Sequence, residues 1–430
     1  MTLVQRHSDI DVRELVREDR VHRRLFIDPS IFEAEMHAIF EHTWVFVGHA
    51  SEIPEAGDYK TTYIGRNPVI VVRDRDLQIH VLMNRCMHRG ALVCREERGN
   101  TSAFRCSFHG WTYNNRGELV VVTSRGGYGP DFSTAELGLI RAPLVEDYRG
   151  FVFASLDPEV MPLSDHLGRA KHYLDLGLDL SPSGEIVARS GAQRYGYPAN
   201  WKFQIENWTD HYHAAIVHET AFTISGRGGA RSPRAPDPVT GEFAERDTGW
   251  VTSLPHGINT EKTRGGAGLK TFAGGSLPGG EAYLEQLVAS RGPERANELL
   301  GADIQIMIFP NFFIQPRRQH FRVLRPVAVD RTEISAYPYT LKGAPDAYNR
   351  KMVEDVAWWA SAAGFGQPDD LEQFVRCQEG LQVTAAEWVL YSRGMHLEEH
   401  LPEGEIKGES ETTMRGIYRE WTRLMERHVS

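Results

Sequence analysis

The sequence predicts an α+β protein in which a compact all-β domain lies between a helical N-terminal arm and a larger mixed domain. The chain has 430 residues, enough for roughly two to three domains at ~150 residues each. Charged helical segments give way to short β-type runs at Trp44, and helical patterns return after Leu156. We therefore predict an arm over residues 1–44, an all-β domain over 45–160 and a second domain over 161–430.

The individual elements follow from local patterns. In the arm, Asp28-Pro29-Ser30 is a helix start signal, and apolar residues such as Phe32 and Met36 follow at helical spacing. In the all-β domain, β-type runs 59–64 and 69–73 flank the turn signal Gly65-Arg66-Asn67-Pro68.

The second domain has a mixed pattern. Its predicted elements are a β block over 304–339 and helices near 163–180, 200–219, 346–363, 369–390 and 411–428. The Gly- and Pro-rich stretch 224–283 predicts long loops, which in compact domains are usually functional or disordered.

Composition excludes several classes of function. Lys plus Arg is 48 and Asp plus Glu is 58, so the net charge is 48 − 58 = −10, which disfavours nucleic-acid binding. No apolar run approaches the ~20 residues of a membrane span. The charged N-terminus, Met1 to Arg24, lacks the apolar core of a signal peptide and predicts a cytoplasmic protein. Four cysteines are too few for a disulfide scaffold.

The first group of candidate metal ligands is Cys86-x-His88 followed by Cys106-x-x-His109. Two Cys and two His bind either tetrahedral zinc or a Rieske [2Fe–2S] cluster, in which two thiolates bind one iron and two imidazoles the other. Zinc fingers group like ligands, whereas each pair here contains one Cys and one His. This spacing favours the Rieske cluster, with a zinc knuckle or a chance polar cluster as alternatives. We predict that Cys94 and Cys377 are ordinary buried thiols.

The second group is Asp210, His211, His213 and His218. His213 and His218 are five residues apart and converge only where a helix is distorted, while His211 is expected to be a solvated or core residue. Two His with a distant carboxylate would make a 2-His-1-carboxylate iron site. The acidic run Asp369-Asp370 is a candidate source of that carboxylate, and simple helix capping is the alternative interpretation.

Both motifs together resemble the large (α) subunit of Rieske non-haem iron aromatic-ring-hydroxylating oxygenases. The resemblance extends over the whole chain and includes Trp44, Gly48-His49 and Gly150-Phe151-Val152-Phe153 around the cluster motif. The run Glu206-Asn207-x-x-Asp210-x-Tyr212-His213-x4-His218 is similar to the iron-binding run of the family.

The resemblance implies a role for each of these residues. Cys86, His88, Cys106 and His109 would bind the cluster, and His213, His218 and Asp370 would bind the iron. Asp210 would hydrogen-bond a ligand His and bridge to a cluster His of a neighbouring subunit, while Asn207 and Tyr212 would line the site. Gln373 stands where the family commonly has Asn, which leaves Asp369 open as the alternative to Asp370.

The resemblance also implies the architecture and the cofactors. It predicts a helix-grip-like catalytic domain with an antiparallel sheet, one [2Fe–2S] cluster and one mononuclear Fe(II) per chain. A head-to-tail homotrimer, with or without a small β subunit (α3β3), would bring the cluster of one subunit to the iron of the next. Electrons would come from NAD(P)H through a separate flavin/iron-sulfur reductase and possibly a ferredoxin, because this chain has no Gly-x-Gly-x-x-Gly fingerprint after a strand.

Three functions remain as hypotheses from the sequence. The leading one is hydroxylation with O2 of an aromatic ring, and the C-terminal run Glu411-x4-Gly416-x3-Arg419-x-Trp421 resembles subunits that act on benzoate- or salicylate-like acids. The second is mono-oxygenation or demethylation of a non-aromatic or amine substrate. The third is a Rieske electron carrier, which would need only about a hundred residues.

The substrate pocket is predicted from segments 306–315 and 220–285. An aromatic carboxylate needs an Arg or Lys there, and Arg317 and Arg318 are the candidates, with a surface position as the alternative.

Overall fold

The computed structural model describes residues 11–210, 212–224, 249–264, 277–398 and 406–429. These residues form two compact units. The first, called the β unit below, is Ile39–Asp165, and the second, called the mixed unit, combines Met1–Ala38 with His166–Ser430. In the part of the chain that the structure describes, no helix is long and apolar enough to cross a membrane.

The β unit contains three small antiparallel sheets and two short 3-10 helices, Ala50–Glu52 and Arg125–Gly127. In spatial order, the sheets consist of Leu144–Tyr148, Phe151–Ser155 and Val45–His49; of Ile79–Met83, Asn67–Arg73, Asp58–Ile64 and Arg98–Asn100; and of Ala103–Arg105, Thr112–Asn114 and Leu119–Val121.

The core of the β unit lies beside the predicted cluster motif. The strand Asn67–Arg73 is buried along Val69–Val72, and Gly65, in the hairpin before it, has the positive φ of 56° that favours glycine. Cys86 and Cys106 belong to the same buried cluster as Ile70 and Val72 of this strand. Apolar side chains of this core therefore pack against both loops that carry the cysteines.

The mixed unit is built around an eight-stranded antiparallel sheet. In spatial order its strands are Gln193–Tyr197, Arg331–Pro338, His320–Ala328, Phe312–Gln315, Ala302–Ile308, Asn259–Arg264, Trp250–Ser253 and Ile406–Lys407. Two smaller sheets pair Arg20–His22 with Trp388–Leu390 and Ile186–Val187 with Thr340–Leu341.

Helices surround this sheet. Their bounds are Val12–Leu15, Arg24–Ile27, Pro29–Ala38, Leu163–Leu167 (which begins in the β unit), Ala170–Leu178, Lys202–Asn207, Ala214–Val217, Glu219–Ile224, Gly280–Arg291, Pro293–Gly301, Asp346–Ala360, Gln367–Gly380, Met395–Glu398 and Thr412–Val429, with 3-10 helices Pro255–Gly257 and Pro316–Arg318.

Three predicted helices differ from the observed ones. The helix expected near 200–219 ends at Asn207, and short helices follow at Ala214–Val217 and Glu219–Ile224. The helix expected near 163–180 is divided in two at Gly168, which has φ 45°. The helix expected near 369–390 ends at Gly380, and Trp388–Leu390 instead forms a strand with Arg20–His22. The partner strand lies more than 360 residues away, so a local sequence pattern cannot indicate this pairing.

A buried ion pair joins three helices of the mixed unit. Glu35 accepts hydrogen bonds from Lys202 Nζ at 2.7 Å, Trp421 Nε1 at 2.7 Å and Trp201 Nε1 at 2.9 Å. All four residues are 0% exposed. The helix that leads into the predicted iron motif is thereby fixed to the arm helix Pro29–Ala38 and to the C-terminal helix.

Candidate functional site

Two loops of the β unit fold back in the same way. The Gly90 amide donates to the Cys86 carbonyl at 2.9 Å, and the Gly110 amide donates to the Cys106 carbonyl at the same distance. Both glycines have positive φ, 76° and 72°, a conformation that glycine adopts without steric cost. Each loop therefore reverses immediately after its Cys and its His.

The four predicted cluster ligands lie in these loops. Cys86 and Cys106 are each 2% exposed, whereas His88 and His109 are partly exposed and their ring centroids lie 4.5 Å apart. Two thiols on the buried side and two imidazoles on the outer side match the donor set of a Rieske cluster. The residues present fit this group on the chemistry of their donors.

Two aromatic residues contact this donor set. The Trp111 indole stacks on His88 with 4.9 Å between the centroids. The Tyr113 hydroxyl lies 3.3 Å from Cys86 Sγ and accepts a hydrogen bond from the Met87 amide at 3.0 Å, which leaves its own hydrogen for the sulfur. Tyr113 lies in the strand Thr112–Asn114, directly after the second cysteine loop, and no sequence motif singles it out.

The segment that carries the predicted iron ligands is a broken helix. Helix Lys202–Asn207 ends before Asp210, and His213 and His218 flank the short helix Ala214–Val217. His218 has φ −98° and ψ 21°, outside the helical values. The chain between the two histidines is one helical turn, in which the His218 amide donates to the Ala214 carbonyl at 3.2 Å, and their ring centroids lie 5.5 Å apart.

Asp370 forms a compact donor set with these two histidines. Its Oδ1 lies 3.4 Å from His213 Nε2 and 3.2 Å from His218 Nε2, and one donor atom from each residue lies within 4.8 Å of the other two. Asp370 and His218 are buried. Two imidazole nitrogens and one carboxylate oxygen are the donors that bind Fe(II) while leaving open positions. The donor set therefore fits a mononuclear iron.

Two further carboxylates face the opposite ring nitrogens. Asp369 Oδ2 lies 3.3 Å from His218 Nδ1, and Asp210 Oδ2 lies 3.6 Å from His213 Nδ1. A carboxylate at Nδ1 holds the proton there and orients the ring, so that Nε2 is available to a metal. Asp370 faces both Nε2 atoms and Asp369 faces one Nδ1, which favours Asp370 over Asp369 as the third ligand.

The charges in this donor set are coupled. Burial opposes ionisation of Asp370, but its contacts with His213 and His218 outweigh this effect and hold its pKa below the usual value. Burial also opposes protonation of His213, yet Asp210 and Asp370 raise its pKa well above the usual value. The local potential is therefore negative and favours a bound cation.

Asn207 contacts the donor set directly. Its Nδ2 lies 3.3 Å from Asp370 Oδ1 and 3.2 Å from His213 Nε2. Both contacts restrict the positions of the carboxylate and the imidazole. Asn207 therefore lies next to two of the three predicted iron ligands.

Tyr212 is oriented differently from the expectation that it lines the site. Its hydroxyl donates to Glu411 Oε1 at 2.9 Å, and the Arg393 guanidinium lies 4.7 Å from its ring centroid. Burial first, then the nearby Asp210 and Glu411 carboxylates, raise the pKa of Tyr212. Tyr212 anchors the segment beside His213, and His211 lies outside the described residues.

A cavity of about 690 Å³, including its open mouth, lies beside the donor set. The sheet forms one of its walls, where Asp303 and Gln305 both face the cavity because side chains alternate along a strand. Of the predicted segments, 306–315 contributes Gln315, and 220–285 contributes Glu261 and Thr263. Residues 225–248 and 265–276 of the second segment lie outside the described residues.

Arginines also line this cavity. Arg318, one of the two candidates, lines the cavity, although a surface position was the favoured interpretation. Its guanidinium lies 4.6 Å from the Trp359 ring centroid. Arg317 donates instead to the Leu300 carbonyl at 2.8 Å. Arg322 also lines the cavity and is 5% exposed. It was not predicted from the sequence, because only strand register determines which face of the sheet it occupies.

Arg322 is a buried cation with mainly neutral neighbours. Its guanidinium donates to the Gln367 side-chain oxygen and lies 4.8 Å from the Trp208 ring centroid. Within the described ranges, no carboxylate lies within 4 Å of it. Burial, followed by the charges of Arg322 and Arg318, lowers the pKa of His320 well below its usual value, so the potential on this side of the cavity is positive.

The two remaining cysteines differ from each other. Cys94 is 4% exposed, as predicted. The prediction that Cys377 is buried is wrong, since its side chain is exposed on helix Gln367–Gly380. That helix packs through Phe374 and Gln378, and the sequence pattern did not show that Cys377 lies outside this face.

The comparisons with known proteins agree with both sites. Residues 180–427 match the family of ring-hydroxylating alpha subunits (catalytic domain), and residues 43–128 match the Rieske [2Fe–2S] domain. The 2-halobenzoate 1,2-dioxygenase large subunit of Burkholderia cepacia is 35% identical over 87% of this chain and 80% of its own length. The anthranilate 1,2-dioxygenase large subunit of Acinetobacter baylyi is 34% identical over 88% and 80%.

A solved structure of naphthalene 1,2-dioxygenase with bound indole has the same fold. Its TM-score is 0.82 at 26% identity, covering 96% of this chain and 93% of that chain. The α+β fold, with its Rieske and catalytic domains, is therefore confirmed.

The chain belongs to the family of ring-hydroxylating alpha subunits, and it is a Rieske non-haem iron oxygenase. It carries a Rieske [2Fe–2S] cluster and a catalytic domain for a mononuclear iron, and electrons reach the iron through the cluster. Its relatives are named as large or alpha subunits, so it belongs to a family of multi-subunit enzymes.

Proposed function

We propose that the protein hydroxylates an aromatic carboxylic acid and that Arg322 binds the carboxylate. The observation that carries this proposal is the buried Arg322 guanidinium, which faces the same cavity as His213, His218 and Asp370. A buried charge without a counter-ion is costly, and a planar guanidinium is well suited to bind a carboxylate. The names of the halobenzoate, anthranilate and toluate relatives support the same class of substrate.

In this proposal the chain's own residues hold and orient the reacting partners. Cys86, His88, Cys106 and His109 hold the cluster, and His213, His218 and Asp370 hold the iron. When bound, the cluster supplies single electrons and the iron supplies coordination positions for dioxygen and substrate. Asp369 accepts the His218 Nδ1 proton at 3.3 Å, and Asp210 faces His213 Nδ1 at 3.6 Å as an ion-pair partner. Asn207 fixes Asp370, and Arg322 positions the aromatic ring by its carboxylate.

We also propose the assembly that the resemblance implies. A head-to-tail trimer, with or without β subunits, would receive electrons from NAD(P)H through a reductase or ferredoxin in the cytoplasm. Asp210 would then contact a cluster His of the neighbouring subunit. The position of Asp210 beside His213 Nδ1 supports this role, because the outer side of a ligand ring is where such a contact has to be made.

The experiment that tests the substrate class is Arg322→Gln in the iron-loaded enzyme, with benzoate binding measured by calorimetry. Hydrogen bonds to charged groups contribute about 1.5–3 kcal/mol, so we expect binding to weaken about 10- to 100-fold, with partial retention in Arg322→Lys. Arg325→Gln, on the same strand but paired with Glu333 at 2.9 Å, is the control. Unchanged benzoate binding by Arg322→Gln would refute the aromatic-acid proposal.

For Asp210→Ala we expect both metal centres to remain but coupled turnover to be lost, because His213 loses its orienting carboxylate. The measurement compares NADH oxidised with product formed, alongside iron content and the visible spectrum of the cluster. Glu219→Gln, at an exposed position of the same segment, should behave like the wild type. Normal product yield from Asp210→Ala would contradict the proposed role.

For Tyr113→Phe we expect a lower reduction potential of the cluster. A hydrogen bond to a cysteine sulfur stabilises the reduced cluster, and a bond of about 0.5–1.5 kcal/mol corresponds to roughly 20–60 mV for one electron. A redox titration followed by circular dichroism measures the shift. Tyr128→Phe, whose ring packs on Trp111 with 6.4 Å between centroids, is the control, and equal potentials for Tyr113→Phe and wild type would exclude this effect.

A further inference from the structure

We propose that Gln367 determines the charge selectivity of the substrate site, because it holds the Arg322 guanidinium with a neutral acceptor and leaves the positive charge to the substrate. This inference rests on the proposed function, in which Arg322 binds the substrate carboxylate. Gln367 is not one of the described residues that line the cavity, so it is a positioning residue that acts through Arg322.

Gln367 connects the sheet to the helix that carries an iron ligand. It lies at the first position of that helix, three residues before Asp370. Its side-chain Oε1 accepts a hydrogen bond from Arg322 Nη1, and the residue is 1% exposed. The backbone of Arg322 is held inside the sheet, where it pairs with Phe313 on one side and Ala336 on the other. The bond from Gln367 therefore restricts the long side chain of Arg322.

The other neighbours of the Arg322 guanidinium are also neutral. The centroid of the Trp208 ring lies 4.8 Å from it. Burial lowers the pKa of His320 well below its usual value and raises the pKa of Tyr195 to about 12, so both side chains are uncharged at neutral pH. None of these groups offsets the positive charge of Arg322.

The carboxylates of the same helix do not supply a counter-ion. Asp369 and Asp370 face the two ligand histidines instead, so Arg322 has no ion-pair partner among the residues that the structure describes. A buried cation without a counter-ion is costly. A substrate carboxylate removes that cost when it binds, whereas a neutral group of the same shape does not. The neutral amide of Gln367 thus keeps the site selective for anions, and a carboxylate at this position would not.

The test is Gln367→Glu, with benzoate and benzamide binding measured by calorimetry on the iron-loaded enzyme. The two ligands have nearly the same shape, but only benzoate is an anion. Because the variant supplies Arg322 with an internal counter-ion, we expect benzoate to bind about 10- to 100-fold more weakly. The affinity for benzamide should change by less than about threefold. An unchanged ratio of the two affinities would overturn the inference.

Two further variants separate charge from position. Gln373→Glu is the matched control, because it makes the same substitution at an exposed position of the same helix, also three residues from Asp370, and it should keep the wild-type ratio. Gln367→Met removes the hydrogen bond without adding a charge, so it should weaken benzoate less than Gln367→Glu does. If Gln367→Met lowers the ratio as far as Gln367→Glu, Gln367 acts only by holding Arg322, and its role in charge selectivity is refuted.

We expect Gln367→Glu to fold normally. The Nε2 of Gln367 is buried and has no hydrogen-bond partner among the described residues, so the substitution removes an unpaired donor and adds a counter-ion. A carboxylate in the first turn also interacts favourably with the helix dipole. Urea unfolding, iron content and cluster absorbance verify the fold and both metal centres. Gln367→Asp carries the same charge on a shorter side chain and replaces Gln367→Glu in the test if that variant is unstable.

This inference and the proposed function fail separately. Arg322→Gln should weaken benzoate and leave benzamide nearly unchanged if Arg322 binds the carboxylate. An effect of Arg322→Gln without an effect of Gln367→Glu refutes only the role of Gln367. The absence of an effect of Arg322→Gln refutes the aromatic-acid proposal, whatever Gln367→Glu does.

Discussion

Replacing Asp370 by alanine is expected to remove the mononuclear iron and abolish hydroxylation while leaving the Rieske cluster intact. Asp370 is the carboxylate that faces both Nε2 atoms, at 3.4 Å from His213 and 3.2 Å from His218. Without it, two imidazoles remain, which is insufficient for a 2-His-1-carboxylate site. Iron content should fall from about three to about two atoms per chain, with an unchanged visible spectrum of the cluster.

Two further variants on the same helix make this test specific. Asp369→Asn removes the carboxylate at His218 Nδ1, and loss of such a supporting contact should weaken iron binding about 10- to 100-fold without abolishing it. The exposed Glu379→Gln should retain full iron and activity. If Asp370→Ala keeps its iron and Asp369→Asn loses it, Asp369 is the ligand and the assignment is reversed.

Breaking the buried ion pair is expected to have the largest effect on stability. In Lys202→Met the Glu35 carboxylate loses its counter-ion. Glu35 and Lys202 are both 0% exposed in the wild type. Burial lowers the pKa of Lys202, and the Glu35 carboxylate opposes this shift, so the two charges depend on each other. An uncompensated buried charge costs about 3–5 kcal/mol. Urea unfolding followed by tryptophan fluorescence is the appropriate measurement, because Trp201 and Trp421 both contact Glu35.

An exposed pair provides the matched control. Lys342 Nζ lies 2.7 Å from Glu185 Oε2, but their side chains are 55% and 64% exposed. Lys342→Met should therefore lower the free energy of unfolding by less than about 1 kcal/mol. The double variant Glu35→Gln/Lys202→Met removes both charges and keeps an acceptor for the indoles. It should be more stable than Lys202→Met alone. Equal decreases in the free energy of unfolding for Lys202→Met and Lys342→Met would show that burial of the pair does not affect stability.

Local sequence was sufficient where all ligands lie close together in the chain. Cys86, His88, Cys106 and His109 lie within two short loops, and their spacing alone predicted a Rieske cluster. The family matches agree with that prediction. His213 and His218 were equally visible, because they lie in one segment, although the apolar pattern did not show that the helix is interrupted between Asn207 and Ala214.

Long-range contacts were less predictable. The family resemblance implied Asp370, 152 residues after His218, as the third ligand and left Asp369 open as the alternative. Only the folded chain shows that Asp370 faces Nε2 and Asp369 faces Nδ1. The position of Tyr212 was missed for a similar reason, since its partner Glu411 lies almost two hundred residues later.

Residue types, their spacing and the family resemblance that they carry thus predicted the class of protein, the kinds of metal centre and most of their candidate ligands, because those features depend on short segments with distinctive chemistry. Tertiary structure alone decided which residues form the cavity. Arg322 and Glu261 are ordinary charged residues in strands, and nothing local distinguishes them from surface charges. Strand register and sheet order bring them to one face beside the iron ligands, and pairing between distant strands is not encoded in any single segment.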